Sequence, residues 1–220
     1  MVLQARSSRQ GQLRVGAWAD GLVEWRPPGD PHTWAVGWEP AMIEELRAEI
    51  LSRAPPVGLH VRLVAIDGRG GAGKSTLAAQ LGPSLSAEIL HTDDFASRDN
   101  PLNWWPRLIA EALEPIRDGA RTLSYQRGSW GPEHSPEPVL GQRITEVMIL
   151  EGVSSSRREF RPYLTYSIWV DTPRDLCLQR GIERDGADQA EDWARWQADE
   201  DAYLARDDPR GFADRVVRGY

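Results

Sequence analysis

Apolar residues change their spacing along the chain in a regular order. Ile43, Leu46, Ile50 and Leu51 recur at helical intervals between Ala41 and Ala54, and Pro55-Pro56 ends that helix. Val61 to Ile66 is then a short β-branched run, the pattern of a strand covered on both faces. Lys74 to Leu81 predicts a helix closed by Gly82-Pro83, and Ala87 to Leu90 a second strand. Pro106 to Arg117 predicts a helix with Leu108, Ile109, Ala112, Leu113 and Ile116 on one face. Pro115 should bend or finish it, because a prolyl ring lacks the amide donor and crowds the preceding turn. Val147 to Leu150, Tyr166 to Val170 and Asp214 to Val217 predict three further strands. Such alternation implies right-handed crossovers and an α/β three-layer sandwich around a central, mostly parallel sheet.

Two stretches break the alternation. Residues 1–40 hold Trp18, Trp25, Trp34 and Trp38 among Gly and Pro, and Ala19-Asp20-Gly21 separates the apolar runs Leu13 to Trp18 and Leu22 to Trp25. An Asp-Gly step between such runs predicts a β-hairpin, so 1–40 is read as a short Trp-rich extension and 41–220 as the main domain. Gly128 to Gly141, with Pro132, Pro136 and Pro138, predicts a loop too long for an ordinary connection.

Composition narrows the function classes. The chain has 220 residues and a formal charge of −7, a balance that argues against a duplex nucleic-acid binder, which needs a basic footprint. One cysteine, Cys177, excludes an internal disulfide and a Cys-based zinc site. No apolar run long enough to span a membrane and no secretory h-region is present, so a cytoplasmic protein without a membrane partner is expected. Of the 26 basic residues, one alone is Lys, at position 74. A lysine kept in a chain that otherwise uses arginine points to a place where a slender ammonium cannot be replaced by a broad guanidinium.

That place is Gly68-Arg69-Gly70-Gly71-Ala72-Gly73-Lys74-Ser75, which matches G-x-x-x-x-G-K-[ST], follows an apolar strand and opens a helix. Glycines let the backbone turn its N–H groups inward around a phosphate, and the positive end of the next helix adds to the attraction. Gly68, Gly70, Gly71, Ala72, Gly73, Lys74, Ser75 and Thr76 are therefore the candidate nucleotide site, with Lys74 bridging the β- and γ-phosphates of ATP. The Ser75 hydroxyl would join a Mg²⁺ shell, since a hard ion prefers oxygen ligands.

Three acids and two arginines extend the reading. Asp93 and Asp94 follow the second strand, and in a parallel sheet they face the same crevice as the glycine loop. A carboxylate there can take the proton of a substrate hydroxyl as it attacks the γ-phosphorus; equally, the pair could cap the next turn. Glu151, delivered by Val147 to Leu150, suits a position beside Mg²⁺, directly or through water. After the fourth strand, Thr172 is a candidate N-cap, Pro173 the first helical residue, and Asp175 the end of a capping box. On that helix Arg180 and Arg184 share a face, beside a flexible Gly181, and could close over ATP as a lid around 180–190 or serve as surface ion pairs. Trp193 and Trp196 read as one packed helical face.

Together these residues resemble the uridine kinase-like branch of the P-loop kinases, within the P-loop NTPase superfamily. The likeness rests on Ile66-Asp67-Gly68 through Thr76, Asp93-Asp94-Phe95, Tyr125 within Leu123 to Arg127, Ile149 to Gly152, and Val170-Asp171-Thr172 through Asp185. It implies Asp93 as catalytic base, Glu151 as the magnesium-side acid, Arg180 and Arg184 as lid arginines beside Lys74, and Tyr125 touching the acceptor. Phe95, Trp104 and Trp130 complete the expected substrate wall. Departures accompany the likeness: Ala96 stands where a Tyr is usual, and Trp130 lies where a His would be sought. A Trp-lined pocket could stack a nucleobase or hold another flat or apolar alcohol. The expectation is an ATP- and Mg²⁺-dependent kinase acting on a hydroxyl of a small molecule, foremost a uridine- or cytidine-like nucleoside. An antibiotic or coenzyme precursor as acceptor, or a nucleotide-dependent switch, is the alternative; a homo-oligomer stays open.

Overall fold

The computed structural model describes residues 37–97, 100, 103–128 and 138–220. The chain divides into two units, Met1–Ala35 and Val36–Tyr220, and the description concerns the second. The expected N-terminal hairpin and Trp130 lie outside the described residues.

Five parallel strands form the central sheet: β1 (Arg62–Asp67), β2 (Glu88–His91), β5 (Val147–Glu151), β6 (Leu164–Asp171) and β7 (Arg215–Arg218), in the order β2-β5-β1-β6-β7. Their unbroken apolar runs divide between two layers by the pleat, since successive side chains point to opposite faces. Val64, Ile66, Val147 and Ile149 join a cluster with α1 (Pro40–Ser52) and α2 (Lys74–Leu85), through Leu46, Ile50, Leu77 and Leu81. Leu63, Leu90, Met148 and Leu150 join the opposite cluster. That one contains Leu108 of α3 (Trp105–Leu108), Ala112 and Leu113 of a π turn (Ile109–Leu113), and Ile116 of α4 (Glu114–Arg117). The three-layer sandwich is the expected one. Among the described residues no helix is long and apolar enough to cross a membrane.

Four local expectations are corrected. Helix α2 does not stop at Gly82-Pro83 but runs to Leu85, with Ser86 closing it in the left-handed region at φ 51°. Pro83 forfeits one backbone bond, whereas continuing the helix buries Leu85 beside Leu81; packing outweighs propensity. The helix expected over Pro106 to Arg117 contains the π turn directly ahead of Pro115, where the missing prolyl amide loosens the bonding ladder. Thr172 does not cap α5 (Arg174–Asp185); its hydroxyl donates to Ala72 O at 2.9 Å instead. Part of the expected Gly128 to Gly141 loop is strand β4 (Pro138–Arg143), paired antiparallel with β3 (Thr122–Gln126). Its Pro, its Gly141 and its mostly exposed side chains hide it from a periodicity argument.

Candidate active site

Strand register assembles the site. Ile66 of β1 pairs with Glu151 of β5, and Glu151 pairs with His91 of β2, so three strands end level with one another. The loop after β1, the carboxylate of Glu151 and the acid pair after β2 therefore open onto one edge of the sheet. That arrangement needs only equal strand ends and the order β2-β5-β1.

The glycine loop between β1 and α2 is braced from beneath. Asp67 is buried, and its carboxylate accepts from five donors: Gly68 N at 2.7 Å, Ser154 N at 3.0 Å, Ser156 N at 2.8 Å, Ser156 Oγ at 2.7 Å and Tyr203 Oη at 2.6 Å. A buried carboxylate is tolerated when its lone pairs are filled in this way. Gly71 adopts φ +79°, and a Cβ there would lie 2.4 Å from Cys177 O of α5, so conformation and space both demand glycine. Lys74 is buried at the start of α2, where its Nζ donates to Arg69 O at 2.8 Å.

Ser75 Oγ donates to Glu151 Oε1 at 3.1 Å, and Glu151 Oε2 lies 2.8 Å from His91 Nδ1. Burial pushes the Glu151 carboxyl up, but the His91 hydrogen bond and the charges of Lys74 and His91 outweigh it, and its pKa falls below the ordinary value. A hydroxyl next to an ionised carboxylate is a donor set of hard oxygens, the kind that suits Mg²⁺ completed by phosphate oxygens and water. Among the described residues no cluster of three His, Cys, Asp or Glu could hold a metal unaided.

The two acids after β2 have different surroundings. Burial raises the Asp93 pKa, against the opposing charge of Lys74, and Glu151 raises it further; His91 and Arg184 pull the other way. Asp93 thus lies in the field of the site's cations. Asp94 is tied to the other side: Tyr125 Oη donates to its Oδ2 at 2.9 Å, and Arg127 pairs with its Oδ1 at 3.2 Å. Phe95 and Tyr125 stack on each other with ring centres 4.7 Å apart, and they are only 2% and 6% exposed. Trp104 is buried beside Phe160, with ring centres 6.1 Å apart.

Helices α5 and α6 (Ala190–Asp207) cover the loop from above. Arg184 pairs with Asp185 at 2.7 and 2.9 Å, lies over the Trp193 ring at 5.7 Å, and contributes charge to Asp93. Arg180, one turn earlier, has a different partner, donating from Nη1 to Gly219 O at 2.8 Å. Gly181, expected to lend flexibility, makes room for packing, since a Cβ there would come 2.5 Å from the Trp193 ring. Glu200 of α6 accepts from Gly70 N at 2.7 Å and pairs with Arg69. Burial raises its pKa, against the Gly70 bond and the charges of Lys74 and Arg69.

His91, Asp67, Tyr203 and Glu200 are absent from the sequence-derived site. Asp67 could have been suspected from its place directly before Gly68. Glu200 and Tyr203 belong to a buried stripe with Trp193, Gln197 and Asp207, spaced for one helical face but too polar to be recognised as core.

No protein-family model and no curated protein sequence matches the chain. Solved structures do. A possible uridine kinase from Bacillus stearothermophilus superposes with a TM-score of 0.60 at 22% identity, covering 80% of this chain and 97% of that one. A protein provisionally named as a fructose transport system kinase, from Silicibacter sp. TM1040, gives 0.56 at 22% identity, covering 80% and 98%. The chain has the P-loop kinase fold. Within that fold Gly68 to Ser75 forms the turn between β1 and α2.

Proposed function

We propose that the chain is an ATP- and Mg²⁺-dependent kinase that transfers the γ-phosphate to a hydroxyl of a small molecule. The observation that carries this reading is the convergence of Lys74, Ser75, Glu151 and Asp93 at one sheet edge, with Asp93 sensing both Lys74 and Arg184. The loop amides and Lys74 hold the triphosphate, and Arg184 adds positive charge near the transferring group. Ser75 and Glu151 would hold Mg²⁺, which when bound neutralises charge on the phosphate oxygens. Asp93 accepts the proton of the attacking hydroxyl; the new O–P bond forms as the bond to ADP breaks. A carboxylate whose pKa is raised by burial is a stronger base than an exposed one.

A uridine- or cytidine-like nucleoside is the acceptor carried by the resemblance. The Phe95–Tyr125 stack favours a second reading, a different alcohol, because both rings are buried against each other rather than exposed to a base. Transfer of label from γ-labelled ATP to an acceptor panel tests the activity. Lys74→Ala should abolish transfer. Asp93→Asn should leave the Kd for ATP within about two-fold and slow kcat by roughly 10²- to 10⁴-fold. Full turnover by Asp93→Asn with every acceptor would remove Asp93 as the base.

A further inference from the structure

The ends of β2 and β5 are locked together. His91 and Glu151 pair across them, so their side chains leave the sheet on the same side. Gly152, directly after Glu151, adopts φ +141°, and a Cβ there would overlap Thr92 Oγ1, directly after His91. The backbone therefore fixes where the imidazole stands relative to the carboxylate. Glu151 divides its two oxygens between two partners: Oε1 accepts from Ser75 Oγ at 3.1 Å, and Oε2 lies 2.8 Å from His91 Nδ1. An ionised carboxylate offers only lone pairs, so Nδ1 carries the proton of this bond. A surface ion pair of no consequence would have both members in solvent, whereas here the Glu151 side chain is 7% exposed and that of His91 45%. Lys74, held by Arg69 O at 2.8 Å, is a second cation whose charge acts on the same carboxylate.

We propose that His91 is a positioning residue for the metal site: it holds Oε2 of Glu151, so that Oε1 stays aimed at Ser75, where the two would take Mg²⁺ with the nucleotide. The proposal rests on the phosphotransfer reading and deepens it, because it names what keeps the magnesium-side acid in place. The last torsion of a glutamate side chain is soft, so a carboxylate held by one oxygen alone can turn. Lys74 is the cation to which it would turn. That contact would draw the carboxylate away from the metal and the ammonium away from the phosphates. His91 prevents both by giving Oε2 a partner on the side opposite Ser75's oxygen. Partners that orient metal ligands in this way govern affinity for the ion without touching it.

Calorimetric titration of adenylyl imidodiphosphate, from metal-free buffer with chelator up to saturating Mg²⁺, tests this without an acceptor. Wild type is compared with His91→Leu, His91→Ala and His91→Asn, and His91→Leu is repeated in a Glu151→Gln background. His91→Leu and His91→Ala should raise the Mg²⁺ concentration that gives half of the metal-dependent gain in affinity by roughly ten-fold or more, with metal-free affinity unchanged. His91→Asn, whose amide nitrogen is as many bonds from the backbone as Nδ1, should recover most of that loss. With Glu151→Gln already present, His91→Leu should cost nothing further, because two coupled residues lose their interaction once. His91 is half-exposed, so these variants should fold, and melting temperatures check it. An unchanged Mg²⁺ requirement in the Leu and Ala variants overturns the proposal. So does an equal loss of affinity without metal, which marks a merely structural role, or a His91 effect that survives Glu151→Gln. If wild type binds no nucleotide, or binds it without regard to Mg²⁺, the phosphotransfer reading fails first and the proposal with it.

Discussion

The two halves of the cleft are built by different means. The end proposed to hold the nucleotide is built from the glycine loop, two strand ends and the start of α2, at positions that lie close in sequence or level in the sheet. A cavity beside it is lined by side chains from α6, from the turn after β5 and from the segment ahead of α3, and only folding makes them neighbours. Backbone geometry tolerates almost no variation, because a loop that wraps a phosphate has one way to do so. Side-chain surfaces can be exchanged one residue at a time.

Substitutions can break that contrast at several points. Gly71→Ala should have the largest effect: with φ +79° and Cys177 O at 2.4 Å from the new Cβ, the loop cannot keep its shape, and ATP binding measured by calorimetry should be lost. Wild-type ATP affinity in that variant would mean that the loop is not what holds the nucleotide.

Next in size is the pH response. A base works when ionised, and burial raises the Asp93 pKa above its ordinary 3.8, so activity should disappear as pH falls through that raised value. The acidic limb of kcat/KM, dropping about ten-fold per pH unit, should lie above the ordinary aspartate value and vanish in Asp93→Asn.

Gly181→Ala joins the two halves. The Trp193 ring must shift, at about 1–3 kcal/mol of stability read from chemical denaturation, and Arg184, stacked on that ring, should shift with it and lower kcat. Unchanged kcat would separate Arg184 from the chemistry.

Tyr125→Phe should be mildest. It removes the hydrogen bond to Asp94 but keeps the stack on Phe95, so a loss of about 1 kcal/mol and no change in acceptor KM are expected. A raised KM would support Tyr125 as an acceptor contact.

The contrast also explains what was legible in the sequence. The strands of the sheet and the P-loop are local patterns: β-branched runs, glycines at fixed spacing and a solitary Lys74. Strand β4 escaped because Pro138 and Gly141 carry a turn signal and its side chains are mostly exposed. The end of α2 is not legible locally because the burial of Leu85, which depends on tertiary packing, outweighs Pro83. Thr172 carries the sequence signature of a cap, while the Ala72 carbonyl that holds it lies a hundred residues away. Glu200 is hidden for the same reason: a charged residue on an amphipathic helix looks like a solvated one until its partner, here Gly70 N, is known.

The most direct measurement is a crystal structure with Mg²⁺ and a non-hydrolysable ATP analogue. The account requires the terminal phosphate against Lys74, the metal on Ser75 and Glu151, and the Asp93 carboxylate facing the γ-phosphorus with room for one acceptor oxygen between them. A triphosphate bound elsewhere, or an Asp93 turned away from it, would contradict the account.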